Sequence, residues 1–161
     1  MKEVKKICFV CLGNIVRSPL AENVFRKLAD EAGVSHKYKV DSAGTSGWHV
    51  GEQPDLRMRR VAADHGLKYA GQARQFEVDD FGEFDLIVAM DVENRDHLLG
   101  ISPHPKDRAK VRLLREFDPM GGTHHSVPDP YYGGMDGFEE VYQIVEISCQ
   151  GLLKALEAQE G

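Results

Sequence analysis

Four apolar residues in a row, Ile7-Cys8-Phe9-Val10, run directly into Cys11-Leu12-Gly13-Asn14-Ile15-Val16-Arg17-Ser18 and then into Pro19-Leu20-Ala21-Glu22. This order leaves few folds open. It reads as a buried strand, a tight loop and a helix, with Ser18 expected at the N-cap and Pro19 at the first helical position. A loop of that kind cradles anions, because its backbone N–H groups converge at the positive end of the helix dipole. Gly13 and Asn14 are residue types that tolerate the positive φ such a turn needs. The donors that attract a phosphate also favour a thiolate on Cys11, the form in which sulfur attacks. Arg17 adds a planar fork that matches two oxygens of a tetrahedral anion. Binding site and reactive centre are therefore expected to coincide, with Leu12, Gly13, Asn14, Ile15, Val16, Arg17 and Ser18 holding the phosphate over Cys11.

The rest of the chain repeats the strand-then-helix pattern. Leu20, Ala21, Val24, Phe25 and Leu28 form a helical stripe that Gly33 can terminate. Tyr38 to Ala43 alternates weakly as a second strand, and Pro54 opens a helix running to Gly66. Leu67 to Phe76 fits no period, and Val78 to Phe84 reads as a short helix or turn. Leu86 to Met90 is an unbroken apolar run suited to a strand buried on both faces, followed by a helix from Asp91 to Leu99. Val111 to Leu114 is the last strand candidate. A Gly, His and Pro-rich loop from Asp118 to Gly137 precedes a final helix from Phe138 to about Ala158, with a stripe of Val141, Ile144, Val145, Ser148, Leu152 and Leu156. Alternating strands and helices imply an α/β fold with a parallel sheet, right-handed crossovers and a ligand site outside the strand carboxyl ends.

At 161 residues, 42% of them hydrophobic, the chain reads as one domain spanning residues 1–161. A net charge of −6 offers no basic footprint for nucleic acid. Three cysteines suit reduced thiols better than a disulfide framework. Met1 to Lys6 is charged, the apolar run after it is too short for a signal-peptide core, and no later run approaches a membrane span. The expectation is a cytoplasmic monomer without membrane attachment.

The spacing C-x5-R is that of the protein tyrosine phosphatases, and CLGNIVRSP resembles the low-molecular-weight phosphotyrosine phosphatase family in particular. DSAGTSGWHVGE, AMD and Asp129-Pro130-Tyr131-Tyr132-Gly133-Gly134 are also similar to family signatures, so the resemblance spans nearly the whole chain. It implies a single domain with a four-stranded parallel sheet in the order 2-1-3-4, flanked by helices, with the phosphate-binding loop after strand 1. It also implies hydrolysis of phosphotyrosine in proteins or peptides, and of aryl phosphate monoesters, through a phosphocysteine, with inorganic phosphate as product and neither metal nor cofactor.

By the same resemblance Asp129 is the general acid. Pro130 restricts it to extended φ/ψ, and Tyr131 and Tyr132 provide aromatic walls for a phenyl ring. Asp118-Pro119 is a second Asp-Pro pair without that company. Trp48, the single tryptophan, sits in a Gly-flanked loop and suits either a pocket rim or a packed anchor equally well. Ser42 is implied to hydrogen-bond Asn14, and Ser18 to donate to the Cys11 sulfur. Asp91 is implied to orient Arg17 or a nearby group, although a helix N-cap is its simpler role. His65 matches a family histidine but equally suits a helix end or the surface. His124 and His125 lack the company of other ligands at metal-binding spacing.

Other chemistries on related loops are less well served. An arsenate reductase of the same fold shuttles electrons through additional cysteines, and this chain has none between Cys11 and Cys149. A phosphocysteine carrier needs neither Arg17 nor Asp129, and zinc at Cys8-x-x-Cys11 lacks a second cysteine pair. An arginine-phosphatase branch carries a small polar residue where this chain has Ile15, whose bulk favours an aromatic ring. One departure from the common family pattern CLGNICRS is Val16, which stands where that pattern has a second loop cysteine.

Overall fold

The structure, a computed structural model, describes residues 4–160. The charged N-terminal segment read from Met1 to Lys6 falls partly outside them.

Four strands, β1 Lys5–Cys11, β2 Tyr38–Gly44, β3 Leu86–Ala89 and β4 Val111–Leu113, form one parallel sheet in the order β2-β1-β3-β4, as the resemblance implies. Six helices accompany them: α1 Arg17–Glu31, α2 Leu56–Asp64, α3 Asp80–Glu83, α4 Val92–Ile101, α5 Pro105–Arg108 and α6 Met135–Glu160. The alternation of side chains along β1 splits the core in two. Ile7, Phe9 and Cys11 join Phe25 of α1, Met58 of α2 and Val141, Val145 and Leu152 of α6 on one face. Cys8 and Val10 join Phe76, Phe81, Ile87 and Leu98 on the other. Both faces of β1 are therefore covered, which is why its sequence is an unbroken apolar run.

The boundaries differ from expectation where side chains are employed elsewhere. α1 begins at Arg17, with Val16 at the cap position and no side-chain cap. Ser18 is not the N-cap because its hydroxyl is engaged by Cys11 and Asn14. α2 starts after Asp55, whose side chain accepts the Arg57 N–H at 2.8 Å, so the cap lies one residue beyond Pro54. Gly33, with φ of 74°, closes α1 as expected. The aperiodic segment from Leu67 to Phe76 forms no helix or strand and meets β2 at a single bridge at its end, with Gly44 N–H donating to Arg74 O at 2.9 Å and Phe76 N–H to Gly44 O at 2.7 Å. α5, a single turn, was too short to leave a period.

Two glycines mark close approaches. A Cβ on Gly151 of α6 would lie 1.9 Å from the Phe117 carbonyl oxygen, so the absent side chain lets α6 pack directly on the turn Leu114–Phe117. A Cβ on Gly44 would lie 2.7 Å from Leu12 O, placing the end of β2 directly beneath the loop that follows β1.

Candidate active site

The loop between β1 and α1 closes over the Cys11 sulfur. Asn14 N–H donates to Sγ at 3.2 Å, and Ser18 Oγ lies 3.0 Å from it. Ser18 Oγ also receives the Asn14 side-chain amide at 2.8 Å, so its own proton is left for either Sγ or the Ala43 carbonyl at 3.3 Å. The shorter contact is to sulfur.

Only Asn14 in this loop has positive φ, at 57°. Its side chain explains how a non-glycine residue holds that conformation: Nδ2 donates to Ser18 Oγ and, at 3.0 Å, to Ser42 Oγ, while Oδ1 accepts the Arg74 N–H at 3.0 Å. Gly13 is needed for space instead of for its dihedral angles. A Cβ there would stand 2.9 Å from Cδ2 of His49.

Arg17 is 3% exposed, and a guanidinium so enclosed requires partners. Nη1 donates to Asp91 Oδ2 at 2.6 Å and to the Val127 carbonyl at 2.9 Å, and Nη2 stands 3.6 Å from Asp129 Oδ2. Burial works against its charge, but Cys11, Asp91 and Asp129 outweigh it and raise its pKa above the ordinary arginine value. Asp91 meets both of the groups considered for it: beside its contact to Arg17, its Oδ1 accepts the Asn94 N–H and caps α4.

A cavity of ≈ 90 Å³ opens above the sulfur. Its floor and sides are Cys11, Leu12, Gly13, Ile15, Val16 and Arg17, and its mouth is made by Trp48, His49, Asp129, Tyr131 and Tyr132. Asn14, Ser18 and Ser42 stand behind the loop and support it. Trp48, 78% exposed, lies on the rim and anchors no core, and Tyr132 is 97% exposed. Asp129 Oδ1 accepts the Tyr131 N–H at 3.1 Å, leaving Oδ2 facing Arg17.

His49 escaped the sequence reading. Its Nδ1 lies 2.8 Å from Glu52 Oε2 and its ring 6.1 Å from that of Tyr131. Its position next to Trp48 was the one available signal. His65 lies elsewhere, stacked on Tyr142 at 4.1 Å with Nε2 2.9 Å from both Glu139 oxygens, so it pins the end of α2 to α6. His124 and His125 are exposed, and among the described residues no three His, Cys, Asp or Glu side chains gather as a metal site. Asp118 pairs with Arg115, whose Nη1 donates to Ser126 O at 3.0 Å, an arrangement that supports the late loop without entering the pocket. Cys8 is fully buried on the opposite face of the sheet from Cys11, and burial pushes its thiol pKa well up. No helix among the described residues is long and apolar enough to cross a membrane.

The arrangement presents a sulfur nucleophile, a fixed cation and a carboxyl around one cavity, the set needed for group transfer to and from a tetrahedral anion. Comparison with known proteins agrees. The family model for low molecular weight phosphotyrosine protein phosphatase matches residues 6–161. The chain is 50% identical over 155 residues to a low molecular weight protein-tyrosine-phosphatase of Streptomyces coelicolor, covering 96% of this chain and 94% of that one. It is 42% identical over 151 residues to the human low molecular weight phosphotyrosine protein phosphatase, covering 93% and 94%. A crystal structure of a protein tyrosine phosphatase from Entamoeba histolytica with Hepes in its active site superposes with a TM-score of 0.92 at 40% identity, covering 98% of this chain and 99% of that one.

Proposed function

The chain belongs to the low-molecular-weight phosphotyrosine protein phosphatase family, and from that premise we propose that Cys11, Arg17 and Asp129 carry out the hydrolysis of phosphotyrosine in two in-line displacements. In the first, the Cys11 thiolate attacks phosphorus as the bond to the phenolic oxygen breaks, and Asp129 gives its proton to that oxygen. Arg17 and the loop amides of residues 12–18 hold the equatorial oxygens through the trigonal transition state. In the second, Asp129, now ionised, takes a proton from water as its oxygen attacks the phosphocysteine. Inorganic phosphate leaves and the thiolate is restored. Ser18 supports the departing sulfur by its hydrogen bond.

The observation that carries this reading is the convergence on one sulfur. Asn14 N–H and Ser18 Oγ lie 3.2 and 3.0 Å from Sγ, in a cavity that Arg17 and Asp129 also line. Trp48, Tyr131 and Tyr132 at the mouth fit an aryl ring, and Ile15 in the wall favours that ring over a guanidinium. An arsenate reductase is not favoured. Cys149, the next cysteine, is fully buried in α6 beside the Ala21 carbonyl and Cys8 is fully buried as well, so neither offers the exposed second thiol a relay needs. We take a cytoplasmic monomer as the setting, a reducing compartment suiting the three unbridged buried cysteines.

The test is steady-state hydrolysis of an aryl phosphate by the wild type and by Cys11→Ser in the presence of a chelator. The wild type is expected to keep its rate and the variant to lose it. Equal rates for the two proteins, or loss of wild-type activity on chelation, would sink the mechanism.

A further inference from the structure

Arg57, in the first turn of α2, lies outside the pocket yet packs against Tyr131 of its wall and Phe138 of α6, and is joined through Asp55 to the phosphate loop. Its guanidinium carbon stands 5.2 Å from the centre of the Tyr131 ring and 4.5 Å from that of Phe138, the latter in α6. Its fork is held by Asp55, with Nε 3.2 Å from Oδ1 and Nη2 2.9 Å from Oδ2. The same Asp55 donates its backbone N–H to the carbonyl of Ile15 in the phosphate loop at 2.7 Å. One planar cation thus connects the phosphate loop, the aromatic wall and the C-terminal helix.

The late loop bearing Asp129 is pinned to the end of β3 by the Val127 N–H, which donates to Met90 O at 2.8 Å, and is turned by the Gly133 N–H, which donates to Pro130 O at 2.8 Å; arginines act on both sides of the carboxyl itself. On one side Arg17 Nη1 holds the carbonyl of Val127, two residues before Asp129. On the other side Tyr131, two residues after, donates its N–H to Asp129 Oδ1 and lies against Arg57. The carboxyl is therefore slung between two arginines. Arg17 sets the near end from inside the site, and Arg57 sets the far end from outside it through the Tyr131 ring. A flat guanidinium on an aromatic face resists sliding and tilting more than an aliphatic contact would, and Asp55 removes the freedom of the arginine to follow the ring outward.

We infer that Arg57 is a positioning residue for the reaction, fixing Tyr131 and through it the carboxyl of Asp129 over the leaving oxygen. The inference rests on the assignment of Asp129 as general acid. It separates from a merely structural role because misplacing a general acid harms poor leaving groups more than good ones, whereas a loosened fold or a damaged phosphate loop harms all esters alike.

The experiment measures kcat/KM for the wild type, Arg57→Met and Arg57→Lys on aryl phosphates running from nitrophenyl phosphate to phosphotyrosine, with inhibition by inorganic phosphate measured alongside. Methionine keeps an unbranched chain against the rings without fork or charge, and lysine keeps the charge alone. For Arg57→Met, kcat/KM on phosphotyrosine should fall about 10-fold and on nitrophenyl phosphate no more than about 3-fold, with phosphate inhibition unchanged. Arg57→Lys should lie between the variant and the wild type, and it decides the matter if Arg57→Met does not fold. Equal losses on every ester, no loss at all, or weakened phosphate inhibition with an unaltered leaving-group dependence would each overturn the inference. Cys11→Ser in the same series keeps the two levels apart: a variant as active as the wild type brings down the phosphatase mechanism itself, while an inactive one leaves any failure to Arg57 alone.

Discussion

Asp91 grips Arg17 across 74 residues of sequence, accepting a 2.6 Å hydrogen bond from Nη1 on one oxygen while the other caps α4 through the Asn94 amide at 2.7 Å. The two functions separate by substitution. Asp91→Ala removes both, and Asp91→Ser restores a cap without reaching the guanidinium. Both should lower kcat by about 10- to 100-fold, because Arg17 loses its aim. Asp91→Ala should also be the less stable of the two by about 1 kcal/mol, the value of the cap. Kinetics and denaturant unfolding on the same preparations check this, and a serine variant with recovered activity would contradict it.

On the proposed mechanism, Asp129→Ala removes the proton that the leaving oxygen needs. Its kcat/KM on phosphotyrosine should fall about 10²- to 10⁴-fold, and distinctly less on a nitrophenyl ester, whose phenolate departs without help. Asp118→Ala is a sharper control than its shared Asp-Pro context suggests. Its carboxylate is buried beside Arg115 and accepts the Met120 N–H at 2.8 Å, so losses there should appear in stability and be equal on both esters. Comparable leaving-group sensitivity in the two variants would remove the special role of Asp129.

Val16 lines the cavity beside Cys11 and cannot trap an oxidised sulfur as a disulfide. Cys8 cannot substitute, since it points into the opposite core layer, and bridging it to Cys11 would require breaking β1. Peroxide should therefore carry Cys11 through sulfenic acid towards sulfinic and sulfonic acids, and reductants should restore little activity after prolonged exposure. Val16→Cys should recover more fully under the same treatment. Mass spectrometry of the oxidised wild type decides the issue, a Cys8 to Cys11 bridge being the result that contradicts it.

Glu139 is held below the usual carboxylate range, first by its hydrogen bond to His65 and then by that from Gln143. A folded value lower than the unfolded one contributes stability that is complete at neutral pH and fades as pH falls below about 4.3, the ordinary glutamate value. Glu139→Gln should accordingly melt about 1–3 °C below the wild type at pH 7, as for a half-exposed pair. The gap should narrow as the buffer is taken towards pH 3. A gap that stays constant or widens on acidification would show that the pairing with His65 is not its source.

The residues legible beforehand were those whose role is local. The Cys11 to Ser18 loop announced itself because a strand, a turn and a helix follow one another within a dozen residues, and Pro130 and the tyrosines mark their own loop. The residues that were not legible act across long separations. Arg57 meets Tyr131, and Arg74 meets Asn14, through contacts that no period or spacing encodes. The misplaced cap at Ser18 has the same origin. Its side chain is the right type for a helix start, but tertiary demand from the Cys11 sulfur and from Asn14 outcompetes the local preference.

Cys11 and Gly44 form the last rung of the ladder between β1 and β2, and the next two amides, Thr45 and Ser46, donate onward to Cys11 O at 2.8 Å and Leu12 O at 2.9 Å. With no room for even a methyl group between Gly44 and the loop, the reactive segment is clamped to the longest strand pair of the sheet. The Thr45 and Ser46 amides that tie the loop down open only when its start parts from the end of β2, so local breathing of the kind common in binding loops is suppressed here. Heating or denaturant should then remove activity in step with the sheet itself, with no folded but catalytically silent species preceding the collapse.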